Sequence, residues 1–229
     1  MWKVKVFTLY PEVFPGHLDG GLYKKAIENK IWSLEVINIR DYAKDKHKTV
    51  DDTPFGGGSG MVMRADILAS SLDKNITKNN EPIIYLSPKG KKFDQVYAKK
   101  ISNKNLNIIC GHFEGVDQRI LETRNIEEVS VGDFVLSGGE VAALLIIDTV
   151  VRLLPGVLGN PDSLAEESFE KNLLEYPQYT KPQKWEKKEV PEVLLKGDHK
   201  KIKDWRLAQS EDITRRRRPD LWKKYKKDK

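Results

Sequence analysis

A chain of 229 residues that is 39% hydrophobic can bury a substantial core, as one large domain or as a domain with a smaller appendage. No apolar run is long enough to span a membrane and no secretory h-region opens the chain; a single cysteine excludes an internal disulfide and fits a reducing, cytoplasmic setting. The net charge of +6 is uneven, since residues 201–229 hold 12 Lys/Arg against 5 Asp/Glu while the preceding 200 hold 28 against 29.

Residues 3–9 alternate and then run apolar, which predicts a buried first strand stopped by Pro11 and Pro15. Residues 23–29 predict a short helix, and 32–39 alternate as a second strand. A polar run then leads into Pro54-Phe55-Gly56-Gly57-Gly58-Ser59-Gly60-Met61. This is not a Walker loop, because Met61-Val62 stands where Lys-Ser/Thr is required. It is not a dinucleotide fingerprint either, because Met61 falls on the sixth position, where a glycine belongs. The cluster reads equally as a surface loop or as a loop shaped to lie against a flat ligand.

Three strand ends of common design follow. Residues 82–86 run into Ser87-Pro88-Lys89-Gly90, and 106–110 into Gly111-His112-Phe113-Glu114-Gly115. Residues 131–136, β-branched and aromatic, are expected to be a third strand or its edge, running into Ser137-Gly138-Gly139. Helical segments are expected near 94–101 and 118–123. Alternating strands and helices with small residues at successive strand ends predict an α/β fold with a parallel sheet, its ligand at that edge. With no NAD or ATP fingerprint, the pattern argues for a small ligand held mainly by backbone groups.

Glu140 opens a helix that Pro155-Gly156 closes, with an acidic residue at its positive end. Residues 140–154 are apolar on nearly every face, interrupted by Asp148 and Arg152, so this helix belongs in a core or between two subunits. Cys110, inside an apolar segment, is expected to be a buried, inert thiol. His17, His47, His112 and His199 lack the spacing of zinc ligands, and no structural metal is expected.

From Asn160 the composition shifts. A turn at Asn160-Pro161-Asp162-Ser163, the polar Glu166-Glu167-Ser168 and the proline-punctuated 176–182 read as a connection between domains. Asp198 is a candidate N-cap for a helix carrying Ile202 and Trp205, with a second short helix around the arginine run before Pro219. A basic tail interleaved with Trp205, Trp222 and Tyr225 points to a polyanionic partner, with a solubilising terminus as the plainer alternative.

Several ordered blocks carry a resemblance that covers essentially the whole chain. They are Thr49-Val50-Asp51-Asp52 with the glycine cluster, Tyr85-Leu86-Ser87-Pro88, Gly111-His112-Phe113-Glu114-Gly115, and Gly132-Asp133-Phe134-Val135-Leu136-Ser137-Gly138-Gly139-Glu140. Pro155-Gly156-Val157-Leu158-Gly159 and Tyr176-Pro177-Gln178-Tyr179-Thr180-Lys181-Pro182 complete the set. In these the chain resembles bacterial tRNA (guanine-N1)-methyltransferases of the SPOUT class.

The resemblance implies an S-adenosylmethionine-dependent enzyme that methylates N1 of guanine 37, just 3′ of the anticodon. It implies an obligate homodimer, a SPOUT-type parallel sheet with a deep trefoil knot around the cofactor, and a small, mainly helical C-terminal domain that holds tRNA. The domains would then be 1–159 for the methyltransferase, 160–175 for a flexible linker and 176–229 for the basic helical part. The implied cofactor site comprises Tyr85, Leu86, Ser87, Pro88, Gly111, Glu114, Val131, Gly132, Asp133, Phe134, Val135, Leu136, Ser137, Gly138 and Gly139. Mg²⁺ use is compatible with the family and has no readable signature here.

Family position makes Glu167 the general base and Arg152 the guanidinium at guanine O6. The family usually has aspartate where Glu167 stands, and its chains typically run past the position of Lys229. From the residues alone, Arg152 reads as an ion-pair partner of Asp148 four residues back, and Glu167 as a solvated carboxylate indistinguishable from Glu166. A SPOUT ribose 2′-O-methyltransferase and a non-catalytic RNA-binding module remain the alternatives.

Overall fold

Val4, Val6 and Phe7 put apolar side chains on both faces of β1 (Trp2–Thr8), so this strand has to be covered twice. In the computed structural model, which describes residues 1–77, 81–159 and 166–229, β1 pairs in parallel with β2 (Trp32–Asn38) and, on its other side, with β6 (Leu106–Ile109). A short antiparallel pair, β3 (Asp51–Asp52) and β4 (Val62–Met63), flanks the glycine cluster. With β5 (Ile83–Lys92) and β7 (Glu127–Ser130) the main sheet has five parallel strands in the order β2-β1-β6-β5-β7.

Helices cover both faces. Besides α1 (Gly21–Glu28), the first unit has α2 (Ala65–Asn75), α3 (Gln95–Ile101), α4 (Gln118–Thr123) and α5 (Glu140–Val151). Tyr97, Ala98 and Ile101 of α3 and Ala143, Ile146, Ile147 and Val150 of α5 cluster with Val4, Val6, Ile84, Ile108 and Val129. On the other face Ile67, Leu68 and Leu72 of α2 and Ile120 and Leu121 of α4 cluster with Phe7, Ile37 and Ile109. Strands buried on two sides are the expected state of a parallel sheet. Asp94 and Asp117 cap α3 and α4 by accepting from the Tyr97 and Arg119 amides at 2.8 and 3.0 Å.

Four expectations are corrected. The strand expected to stop at Leu86 runs on through Ser87-Pro88-Lys89-Gly90 to Lys92, with a shift of register on β7 between Leu86 and Lys91. Residues 131–136 are not a strand, despite their composition. The ladder between β5 and β7 ends at Lys92 and Ser130. There the Ser130 hydroxyl donates to the Gly132 carbonyl at 3.0 Å, and the Phe134 ring folds back over Gly132. The chain turns before Val131 can pair, leaving Val135 85% exposed. The helix after Gly139 is also shorter, ending at Val151, and it is not enclosed within one chain: Val141 and Leu145 are exposed. Finally, the arginine run is the last turn of one 19-residue helix, α6 (His199–Arg217). Its side chains complement that helix end, Asp212 pairs with Arg215 and Arg216, and a new helix, α7 (Pro219–Asp228), starts on Pro219. Helix α2 is an element that the sequence pattern does not single out.

The chain divides into two compact units, Met1–Gly159 and Asn160–Lys229. In the second, Asp198 caps α6 through the Lys201 amide at 3.1 Å. Residues 166–175 pack within this unit. The Leu174 amide donates to Thr214 Oγ1 at 2.8 Å, Leu173 is buried, and Asn172 donates to Asp228 at 2.8 Å. The turn expected at 160–163 lies outside the described residues. A hairpin of β8 (Lys184–Trp185) and β9 (Lys188–Glu189) completes the unit.

Candidate active site

Residues 85–89 of β5, where its register on β7 shifts, and the segments that leave β6 and β7 meet around a cavity of about 290 Å³ in the first unit. Of the residues expected there, all but Asp133 line it: the Tyr85–Pro88 stretch, Gly111 and Glu114, and 131–132 with 134–139. A loop in place of the expected third strand is what lets six consecutive residues, 134–139, face one cavity.

Close packing explains the glycines. A Cβ on Gly111 would lie 2.5 Å from the Tyr85 ring, and one on Gly138 would collide with the His112 ring and sit 2.6 Å from Glu140 Oε2. The walls are therefore backbone and flat side chains, with Leu86, Leu121, Val131 and Leu136 as apolar surface. Burial pushes the Tyr85 phenol up, with the Glu128 carboxylate adding to it, so the ring presents a neutral hydroxyl.

The glycine cluster is tied to this cavity. The Glu114 amide donates to Met61 O at 2.9 Å, the Met63 amide to Gly115 O at 2.9 Å, and the Asp117 amide to Met63 O at 3.0 Å. The Glu114 side chain lies against Gly60. Phe55, beside the glycines, is almost fully exposed.

Several lining residues carry no expectation from sequence, among them Lys89, His112 and Glu128. Glu140 contributes from beneath. Instead of facing solvent at the helix start, it is buried and accepts from Thr8 Oγ1 at 2.5 Å and from His112 Nε2 at 2.8 and 2.9 Å. The only sequence signal for this was a charged residue beginning an otherwise apolar helix. Cys110 is fully buried beside it, and burial, with Glu140 second, pushes its thiol well up. That is an inert cysteine.

Arg152 is not among the residues lining this cavity; it caps the far end of α5. Its neighbour Asp148 is engaged by His17 at 3.2 Å and by the Tyr23 hydroxyl, whose pKa is raised to about 12 by burial, then by Asp148. Arg152 acts on the same phenol in the opposite direction.

Glu167 lines a small cleft of about 120 Å³ in the second unit, with Glu166, Tyr176, Lys203 and Arg206 among its neighbours. Glu166 accepts from the Tyr176 hydroxyl at 2.7 Å and from Arg206 at 3.2 Å, and the guanidinium lies 4.7 Å over the Tyr176 ring. No cluster of three or more His, Cys, Asp or Glu able to hold a metal occurs among the described residues, and none of the helices there is long and apolar enough to cross a membrane.

The family model described as tRNA (Guanine-1)-methyltransferase TrmD matches residues 2–224. The chain is 69% identical over 229 residues to the tRNA (guanine-N(1)-)-methyltransferase of Pelagibacter ubique (strain HTCC1062), covering 100% of both chains. Similarity extends to proteins of the same name from Mesorhizobium japonicum, 56% identical over 222 residues (96% of each chain), and Bartonella tribocorum, 54% identical over 228 residues (99% of this chain, 97% of the relative).

Proposed function

We propose, from the premise that the chain belongs to the tRNA (guanine-1)-methyltransferase family, that it methylates N1 of guanine 37, on the 3′ side of the anticodon in tRNA. The donor is S-adenosylmethionine, held beside residues 85–89 of β5 where β6 and β7 end. The observation that carries this assignment is the crowding of Gly111 and Gly138, which leaves a backbone-walled slot between the middle of β5 and the ends of β6 and β7. The residues present fit that donor: apolar Leu86, Val131 and Leu136 suit a flat base, the backbone of the glycine turns suits its polar edge, and Glu114 offers a carboxylate to a cation.

Guanine N1 keeps its proton at neutral pH and is a poor nucleophile until that proton leaves. When bound, the donor supplies an electrophilic sulfonium methyl group. Glu167 takes the N1 proton as the N1–carbon bond forms and the carbon–sulfur bond breaks, then releases it to solvent. Arg152 directs its guanidinium to O6, where the electron pair left on deprotonation is shared. The target base must leave its stack to be reached. The enzyme works as a homodimer, its donor site is wrapped by a trefoil knot, and the basic helical unit holds the tRNA.

Incubating tRNA with the protein and S-adenosylmethionine, then digesting to nucleosides for mass spectrometry, tests the assignment. 1-Methylguanosine is expected. A 2′-O-methylated nucleoside would move the chemistry to the ribose, and RNA binding without methylation would leave a silent module.

A further inference from the structure

We infer that His112 is a positioning residue for the donor cavity: by holding the Glu140 carboxylate, it fixes the Ser137-Gly138-Gly139 turn in its donor-binding shape. The inference rests on reading this cavity as the donor site.

Glu140 is the first residue of α5, where a carboxylate ordinarily sits in water and interacts only with the helix dipole. Here it is 6% exposed. A carboxylate taken out of water needs donors, and two side chains supply them. Thr8 at the end of β1 donates at 2.5 Å, and its oxygen in turn accepts from the Tyr10 amide at 2.9 Å. His112, in the segment after β6, reaches both carboxylate oxygens through Nε2 at 2.8 and 2.9 Å. One carboxylate thus ties the ends of two neighbouring strands to the start of the helix.

The glycine turn rests on this link. Gly138 lies so close to His112 Cε1 that a single added carbon would overlap the ring. Next to it the Gly139 amide donates to Gly111 O at 3.1 Å, and a Cβ there would come within 2.7 Å of Cys110 Cα. The imidazole is itself braced, with the Tyr10 ring 4.8 Å away centroid to centroid. Without His112 the carboxylate would retain the Thr8 hydroxyl and have reason to turn toward the cavity for water, carrying the glycine turn with it. His112 would therefore shape the donor site without donating or accepting a proton in the reaction.

Calorimetric titration of S-adenosylmethionine into the full-length protein tests this with His112→Ala, His112→Gln, Glu140→Gln and the double variant His112→Ala/Glu140→Gln. His112→Ala should weaken donor binding about tenfold, within the range of couplings measured inside one buried network. His112→Gln, which keeps an N–H donor at similar reach, should recover most of it. With a neutral amide at 140 the imidazole matters less, so adding His112→Ala to Glu140→Gln should change affinity little. In steady state the donor KM should rise in His112→Ala while kcat at saturating donor and the tRNA KM stay near wild type. Wild-type affinity in His112→Ala would overturn the inference. So would a His112→Ala loss of equal size in the Glu140→Gln background, because the ring would then be touching the donor directly. If His112→Ala fails to fold, the comparison of Glu140→Gln with the double variant still decides. No binding by the wild type would overturn the donor-site reading itself, and this inference with it.

Discussion

Glu166 and Glu167 are adjacent carboxylates, and the structure shows how the first of them is held. Tyr176 and Arg206 hold Glu166, and burial, then the Glu166 hydrogen bond, raises the Tyr176 phenol. That triad ties Glu166 to the packing of the second unit. With Glu167 proposed as the base, Glu167→Gln should slow methyl transfer by roughly 10²–10⁴-fold, the contribution of a positioned base, with tRNA and donor affinities nearly intact. Glu167→Asp should keep more activity than Gln, because it keeps the charge. Single-turnover rates are the measurement, since product release can mask chemistry in steady state. If Glu166→Gln proves the crippled variant while Glu167→Gln is normal, the base has been assigned to the wrong residue.

At Cys110 the same scale gives a prediction about reactivity and pH. The folded thiol is held protonated by burial, with Glu140 reinforcing it. The folded state thus keeps a proton that the unfolded chain releases, so this contribution to stability is complete below the free-thiol pKa and declines as pH rises above it. Between about pH 8 and 10 the urea midpoint should fall more in wild type than in Cys110→Ala. A disulfide reagent should label the native protein only at its unfolding rate. Rapid labelling at pH 8 would contradict the buried placement.

At the scale of elements, strands β1, β2 and β6 and helices α3 and α4 were legible because each carries its own period and a cap or turn; only the first half of β5 and the start of α6 were, since β5 runs on to Lys92 and α6 takes in the arginine run. The stretch 131–136 misled because strand-like composition is only a statement about half-buried surfaces; what ended the ladder was Ser130 turning onto Gly132, a contact that composition does not encode. Helix α2 mixes Ser, Asp and Ala with its leucines and gives a weak stripe. The contact between His112 and Glu140 spans 28 residues and belongs to no local pattern. That the glycines gather at one place was legible, and they line one cavity, but not why each must be glycine. Gly138→Val now has a defined clash, and should weaken donor binding by roughly tenfold or more through overpacking against His112. Calorimetry showing unchanged affinity would remove this turn from the site.

Helix α7 allows a similar refinement. Leu221 is buried and the Tyr225 hydroxyl donates to Glu211 at 2.5 Å, so removing the helix would damage packing as well as charge. Lys223, Lys224 and Lys227 are exposed. Replacing these three with alanine should lower the slope of log affinity for tRNA against log salt by about two to three, close to one per lost phosphate contact. Donor affinity should not move. An unchanged slope would mean that tRNA does not run along this helix.

At the scale of the whole molecule, the outer stripe of α5 raises the question of what covers it. Val141 and Leu145 lie one turn apart, 62% and 42% exposed, on a helix whose other apolar residues are mostly buried. The segments before β2 add exposed Val13, Leu22 and Ile27, and Gly16 packs on Leu144 of the same helix. Exposed apolar residues that gather into one patch mark an interaction surface. The proposed partner is a second copy of this chain, as the family resemblance implies. A two-fold pairing brings the stripe against its own copy, so one substitution acts twice in the assembly. Sedimentation at micromolar concentration should give twice the 26.3 kDa chain mass for the wild type. Leu145→Glu places two like charges near the axis and should shift the population to monomer, with methylation falling in step. Val141→Ala removes only apolar area and should weaken the pair without abolishing it. A wild type that sediments as a 26.3 kDa monomer at those concentrations would leave the stripe to another partner and refute the dimer.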